Sequence, residues 1–391
     1  MTVALRQAAG SLLVVGLGGT ELSGMERAWL KLVRPGGVIL FRRNISDARQ
    51  TRVLLDEATG LCAAHSFRCV DVEGGTVDRL RDALAPMPSA QAAATADWSL
   101  GLLQRARKDG TPSGSFARRQ GALIAQGVRA FGFNTTLAPV LDLALPQSTE
   151  VMGTRSVAAS AEDVIAYARE FLTGLAEGGV TGCAKHFPGL GGGTLDSHVE
   201  TPQIHRGWKE VWREDLTPYR VLRDELPMVM VNHAAYPETP GRDTPASVSS
   251  YWISTVLRKR IGYRGIIFSD DLEMGGILKH VPMEEAVVAA VRAGMDTMEV
   301  CHSADLILRA YEALLAEGER SAAFRELLFA RSRDVSLKRA RLFARGVGPA
   351  LTVRQFEALR TRILRFHEDI LRRVEAAEMR RSGTATQAET A

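Results

Sequence analysis

The chain has 391 residues, 46% of them hydrophobic and 24% charged, with a formal net charge of +4. That balance belongs to a globular chain and excludes a disordered one, and no stretch approaches the roughly 20 apolar residues that a membrane helix needs. A charge this small, without a clustered basic stripe, leaves no footprint for nucleic acid.

Cys62, Cys69, Cys183 and Cys301 are dispersed with no CxxC pair, which predicts reduced buried thiols and no disulfide framework. The first apolar run, Leu12 to Leu17, passes into Gly18-Gly19-Thr20 without a small-residue cleavage pattern. It reads as a strand and not as a secretory signal, so a cytoplasmic location is expected.

Eight short runs rich in Val and Ile then recur in chain order: LLVVGLG from Leu12, GVILF from Gly37, RCVDVEG from Arg68, TTLAPVLDL from Thr135, GVTGCAKHF from Gly179, PMVMVNHA from Pro227, GIIFSDD from Gly265 and MDTMEVC from Met295. Each is followed by a segment of helical periodicity, such as the stretch that opens at Ser160 and closes on Gly178-Gly179. Alternating strands and helices predict a parallel sheet, and eight such units fit a closed (β/α)8 barrel. An open doubly wound sheet is the alternative. Its dinucleotide fingerprint is missing, since Gly16-Leu17-Gly18-Gly19 lacks the remaining spacing.

After Gly346 the pattern changes. Thr352 and Gln355 form a capping-box pattern, and Phe356, Leu359, Ile363, Phe366, Ile370 and Val374 follow at helical spacing, so a long amphipathic helix is expected. The organisation read from the sequence is a barrel domain over 1–345, a helical extension over 346–381 and a disordered tail over 382–391.

Polar residues end the apolar runs: Asp71 and Glu73, Asp142, Lys185 and His186, Asn232 and His233, Asp270 and Asp271, and His302. In a (β/α)8 barrel these ends form the face on which active sites are built. The glycines at 189, 191, 192 and 193 make a loop leading to Asp196 and His198. Two residues apart in extended chain, those side chains fall on one side, so the carboxylate can orient the imidazole for proton transfer; a simple loop hydrogen bond is the alternative. Asp270 and Asp271 close an apolar strand, where alternation points them opposite ways, and Asp271 could instead cap a following helix. His186, His198, Asp196 and Asp270 are suitable zinc ligands by type, but neither an H-x-H pair nor an HExxH helix accompanies them, so no metal and no cofactor is expected.

Together these segments resemble the β-N-acetylglucosaminidases of glycoside hydrolase family 3. The resemblance rests on KHFPGLGGGTLDSHVETP from Lys185 to Pro202, with GLGGTELSGMER at Gly16, GGVILFRRN at Gly36, VDVEGGTVDRL at Val70, LAPVLDL at Leu137, GTRSV at Gly153, PASVS at Pro245, GIIFSDDLEMGG at Gly265 and AGMDTMEVC at Ala293. It covers about residues 10 to 340 and leaves out the C-terminal helix. The resemblance implies Asp270 as nucleophile and His198 as acid/base with Asp196 as its partner, while Asp71, Arg155, Lys185 and His186 hold the terminal sugar. It further implies a retaining enzyme acting on a muropeptide or chitooligosaccharide-type substrate, the GlcNAc-1,6-anhydro-MurNAc unit in particular, as a monomer or homodimer. This sequence departs from the family pattern at Leu190, Thr76, Thr154, Val157, Asn232 and His302, which bears on the preferred aglycone. A phosphorolytic enzyme and a non-catalytic sugar-binding barrel are the competing readings.

Overall fold

Residues 2–101, 115–193 and 202–388 are described by the structure, a computed structural model. Eight parallel strands close a barrel: β1 (Leu13–Gly16), β2 (Gly37–Leu40), β3 (Phe67–Val70), β4 (Thr135–Thr136), β5 (Thr181–Phe187), β6 (Met228–Val231), β7 (Ile266–Asp271) and β8 (Thr297–Val300). Neighbours follow chain order, and β8 closes on β1 through the pairs Leu13–Met298 and Val15–Val300. Each apolar run read from the sequence supplies one strand. Their continuous hydrophobicity follows from burial on both faces, one against the barrel interior and the other against the helices.

The connecting helices begin and end on local chemistry. In the helix Ala161–Glu177, the Ser160 side chain accepts the Asp163 N–H at 3.2 Å, and Gly178 and Gly179 stop it, the latter at φ 72°. At the base of the barrel Asp296 is fully buried and saturated: it pairs with Arg258, lies 3.2 Å from Arg331 and accepts the Ile267 N–H at 2.9 Å. Arg339, also buried, donates to the Gly36 carbonyl at 2.7 Å. These pairs pin outer helices to the starts of strands, which is a stabilising and not a catalytic position.

Two strands break register at their mouth ends. Between β5 and β6 the pairing passes from Ala184–Val229 to Phe187–Val231, and between β7 and β8 from Phe268–Thr297 to Asp271–Glu299. In each case one strand contributes an extra residue, a β-bulge, and the bulged stretches contain Lys185 and His186 in one strand and Asp270 in the other.

The final helix runs Val353–Ala388 behind the expected cap, in which the Thr352 N–H donates to Gln355 Oε1 at 2.9 Å and the Gln355 N–H to Thr352 Oγ1 at 3.3 Å. Leu359, Ile363, Phe366 and Ile370 are buried against the helices Ala90–Ser99 and Phe116–Ala130. Phe366 stacks on Phe116 with ring centres 6.1 Å apart, and Phe356 meets Phe131 at 6.0 Å. The amphipathic stripe is therefore consumed by docking on the barrel. Its backbone stays helical past Ser382 to Ala388, farther than the sequence reading placed it, with no proline there to stop it.

Candidate active site

Asp71 follows β3, and the chain then turns back in a hairpin of Val72–Gly74 and Val77–Asp78 that carries Glu73 over the mouth. Gly74 adopts φ 94°, where a Cβ would stand 2.1 Å from the Pro88 carbonyl oxygen, so only glycine fits this turn. Lys185, from the bulge in β5, places Nζ 2.9 Å from Asp71 Oδ1 and 2.7 Å from Glu73 Oε1. Arg155 grips the same Glu73 as a fork, with Nε 2.8 Å from Oε2 and Nη2 2.9 Å from Oε1. Burial by itself disfavours each of these charges. The opposite charges outweigh it, holding the Glu73 carboxyl below the usual carboxylate range and the Lys185 ammonium above the usual lysine range. The result is a preformed cluster of fixed donors and acceptors.

His186 is oriented from behind. Its Nδ1 lies 2.6 Å from Asp142 Oδ2, and Asp142 Oδ1 also accepts the Leu190 N–H at 2.7 Å. A carboxylate only accepts, so Nδ1 carries the proton and Nε2 is left to accept from Arg155, 3.4 Å away. Asn232 Nδ2 donates to the His186 carbonyl and to Tyr236 Oη, each at 3.0 Å, and Tyr236 in turn donates to the Gly189 carbonyl at 2.7 Å.

Asp270 lies half-buried near the end of β7. Burial would raise its carboxyl, but the Lys185 ammonium, the Asp271 N–H at 3.0 Å and the His186 and His233 rings whenever these are protonated hold it below the usual carboxylate range. It is thus ionised at neutral pH, in reach of solvent at the mouth. Asp271 has a different occupation: Oδ1 accepts the N–H groups of Glu273 at 3.0 Å and Cys301 at 3.2 Å, and burial pushes its carboxyl up to about 7. It secures the turn after β7 and does not cap the short helix Gly275–Leu278, whose N-cap is Met274. His233 donates from Nε2 to the Asp271 carbonyl at 2.9 Å, which leaves Nδ1 to accept from Ser247 Oγ at 2.7 Å.

Asp71, Arg155, Lys185, His186 and Asp270 are therefore brought together, while Asp196 and His198 lie outside the described residues. The sequence reading gave no role to Glu73 or Asp142, although both end apolar runs. It also passed over Glu299, buried inside the barrel on β8 with Oε1 lacking a hydrogen-bond partner among the described residues. Burial, then the charges of Asp71, Asp271 and Asp270, pushes its carboxyl well above the ordinary range. The available signal was an acid inside the apolar run MDTMEVC. Among the described residues, no three His, Cys, Asp or Glu side chains are grouped to hold a metal ion.

A closed barrel with an ionised acid at its mouth beside a fixed cluster of polar side chains is a framework on which a glycosidic bond can be cleaved. The chain belongs to glycoside hydrolase family 3, whose N-terminal domain model matches residues 4–327, and it is a glycoside hydrolase. It is 33% identical over 313 residues to a β-hexosaminidase of Idiomarina loihiensis, covering 80% of this chain and 90% of that protein. A β-hexosaminidase of Thiobacillus denitrificans is 37% identical over 300 residues, covering 75% and 79%. Among solved structures, a family 3 β-N-acetylglucosaminidase from Paenibacillus superposes with a TM-score of 0.79 at 29% identity, over 93% of this chain and 68% of that one. NagZ from Neisseria gonorrhoeae, in complex with N-trifluoroacetyl-D-glucosamine, superposes with a TM-score of 0.68 at 27% identity, over 91% and 98%.

Proposed function

We propose that this chain is a retaining exo-β-N-acetylglucosaminidase of the cytoplasm that releases terminal GlcNAc from peptidoglycan fragments of the GlcNAc-1,6-anhydro-MurNAc type. The observation that carries the reading is Asp270: an acid at the barrel mouth, beside the Lys185 ammonium and held below the ordinary carboxylate range against its own burial. In this scheme the Asp270 carboxylate attacks the anomeric carbon while His198, partnered by Asp196, gives its proton to the departing sugar oxygen. Water then attacks the glycosyl–Asp270 ester, and His198 takes the proton back. Asp71, Lys185, Arg155 and His186 bind the hydroxyls and the N-acetyl group, with Glu73 and Asp142 fixing their positions. The β-hexosaminidases and β-N-acetylglucosaminidases to which the chain is similar support the choice of sugar.

The test is turnover of 4-nitrophenyl N-acetyl-β-glucosaminide, with proton NMR of the first anomer released. Retention of configuration is expected, together with loss of about a thousandfold in Asp270→Asn. A 2-deoxy-2-fluoro glycosyl donor is expected to label a peptide containing Asp270. Labelling at Asp271, or near-native turnover in Asp270→Asn, overturns the assignment. A sugar 1-phosphate accumulating in phosphate buffer moves the reading to phosphorolysis.

A further inference from the structure

Beside the Asp270 pocket the mouth carries a cationic and aromatic platform to which the scheme above gives no task. Phe41, after β2, has the His302 ring 5.2 Å from its own and the Arg43 guanidinium 4.7 Å above its centre. Arg79 stands 5.8 Å from the same ring and 3.7 Å from Asp71, so the platform begins where the sugar cluster ends. On the other side His302 Nε2 is 3.5 Å from Asp271, the chain neighbour of Asp270. The platform thus borders the reacting pocket from Asp71 round to Asp271.

Among the described residues its charge is only partly neutralised, through Arg79 and Asp71. Arg43 is exposed and held by neutral acceptors: the carbonyls of Leu17 at 3.0 Å and Cys301 at 2.7 Å, and His302 Nδ1 at 3.1 Å. Among the described residues no carboxylate pairs with it. Three of the five N–H groups of a guanidinium are used in this way, and the other two have no partner among the described residues. Arg79 adds a buried Nε with no hydrogen-bond partner among the described residues. Because Arg43 donates to Nδ1, the His302 proton sits on Nε2 toward Asp271, and the imidazole lies beside the Phe41 ring. A guanidinium with no carboxylate partner among the described residues, beside two rings tilted 30° to each other, is suited to a sugar ring that carries a carboxylate.

We infer that Arg43, His302 and Phe41 form the leaving-group subsite and select a carboxylate-bearing aglycone over a neutral one. The inference rests on the glycosidase reading above and adds the side chains that discriminate. Arg43 also bridges the loops after β1 and β8, so a purely structural clamp is the competing role.

The experiment compares kcat/KM for GlcNAc-β-1,4-MurNAc, whose lactyl group is ionised, with that for N,N′-diacetylchitobiose. The native enzyme is expected to prefer the acidic disaccharide, with the ratio falling about tenfold in Arg43→Gln and partly restored in Arg43→Lys. Added salt is expected to raise KM for the acidic disaccharide and not for chitobiose, a readout on the native enzyme that needs no variant to fold. Equal kcat/KM for the two disaccharides, an unchanged ratio in Arg43→Gln, or an equal salt response overturns the subsite while leaving the glycosidase reading standing. No turnover of either disaccharide or of the aryl glycoside removes both.

Discussion

His186 and Asp142 form a 2.6 Å contact, and it decides which imidazole nitrogen is turned toward Arg155. Asp142→Asn is expected to let the ring choose either tautomer and to lower kcat/KM by about 10- to 100-fold, with little loss of melting temperature. Nitrogen-15 chemical shifts of the His186 ring check the tautomer directly. A kinetic loss without a change in those shifts would falsify this account.

The acid limb of kcat/KM tests the charges around Asp270. With burial opposed by the Lys185 ammonium, and by His186 and His233 whenever these are protonated, the carboxyl is held down, so the limb is expected below the ordinary carboxylate range. Lys185→Met removes one of those charges and is expected to move the limb to higher pH. A limb that stays in place shows that Asp270 is not the group it reports.

For Asp196 and His198 the expectation concerns the leaving group. His198→Ala is expected to reduce kcat/KM on a natural sugar aglycone by about 100-fold more than on an activated aryl one, which departs without a proton. Equal losses on both assign His198 to structure.

Glu299 offers a test through stability. The folded chain binds its proton more tightly than the unfolded one, whose ordinary value is 4.5, so the contribution to stability is complete below that pH and is lost as pH rises toward the folded value. Glu299→Gln cannot ionise. It is expected to melt with the native chain at low pH and about 2 °C above it at pH 8. Identical melting curves across the range are the contrary result.

The C-terminal helix is expected to contribute to the fold of the barrel through Ile363, which is fully buried. Ile363→Ala is expected to cost about 2–4 kcal/mol in urea unfolding, and Thr352→Ala about 1 kcal/mol through loss of the cap. The exposed Leu371→Ala serves as the comparison, with a change expected within about 0.5 kcal/mol.

Most of the barrel was legible because its strands are buried on both faces and so stand out as apolar runs between helical segments. The place of Asp71, Lys185, His186 and Asp270 at the barrel mouth was legible for a related reason, as polar residues that end such runs. Other features left no local trace. Glu73 is functional in appearance only once Lys185 and Arg155 arrive from distant parts of the chain. Likewise, the direction in which Thr352 to Val374 docks depends on Phe116 and Phe131, which no periodicity within the helix can specify. The divergent jobs of Asp270 and Asp271 were expected from simple alternation, but the strand carrying them is bulged, so strict alternation is not the geometry that separates them.

The two bulges also bear on how the enzyme can be altered. Barrel strands invite regularisation, since matched lengths and unbroken ladders generally stabilise a sheet, and the loops after them invite exchange. At Lys185–His186 and at Ser269–Asp270 that strategy fails, because one residue beyond the ladder is what brings those side chains to the mouth. Removing a single residue there would restore pairing and turn the remainder of the strand end to the opposite face. A loop graft that respects the site begins after Leu272, whose N–H bonds the Glu299 carbonyl at 2.9 Å and closes the irregular stretch. In evolutionary terms, both segments are expected to keep their length as strictly as they keep the side chains they present.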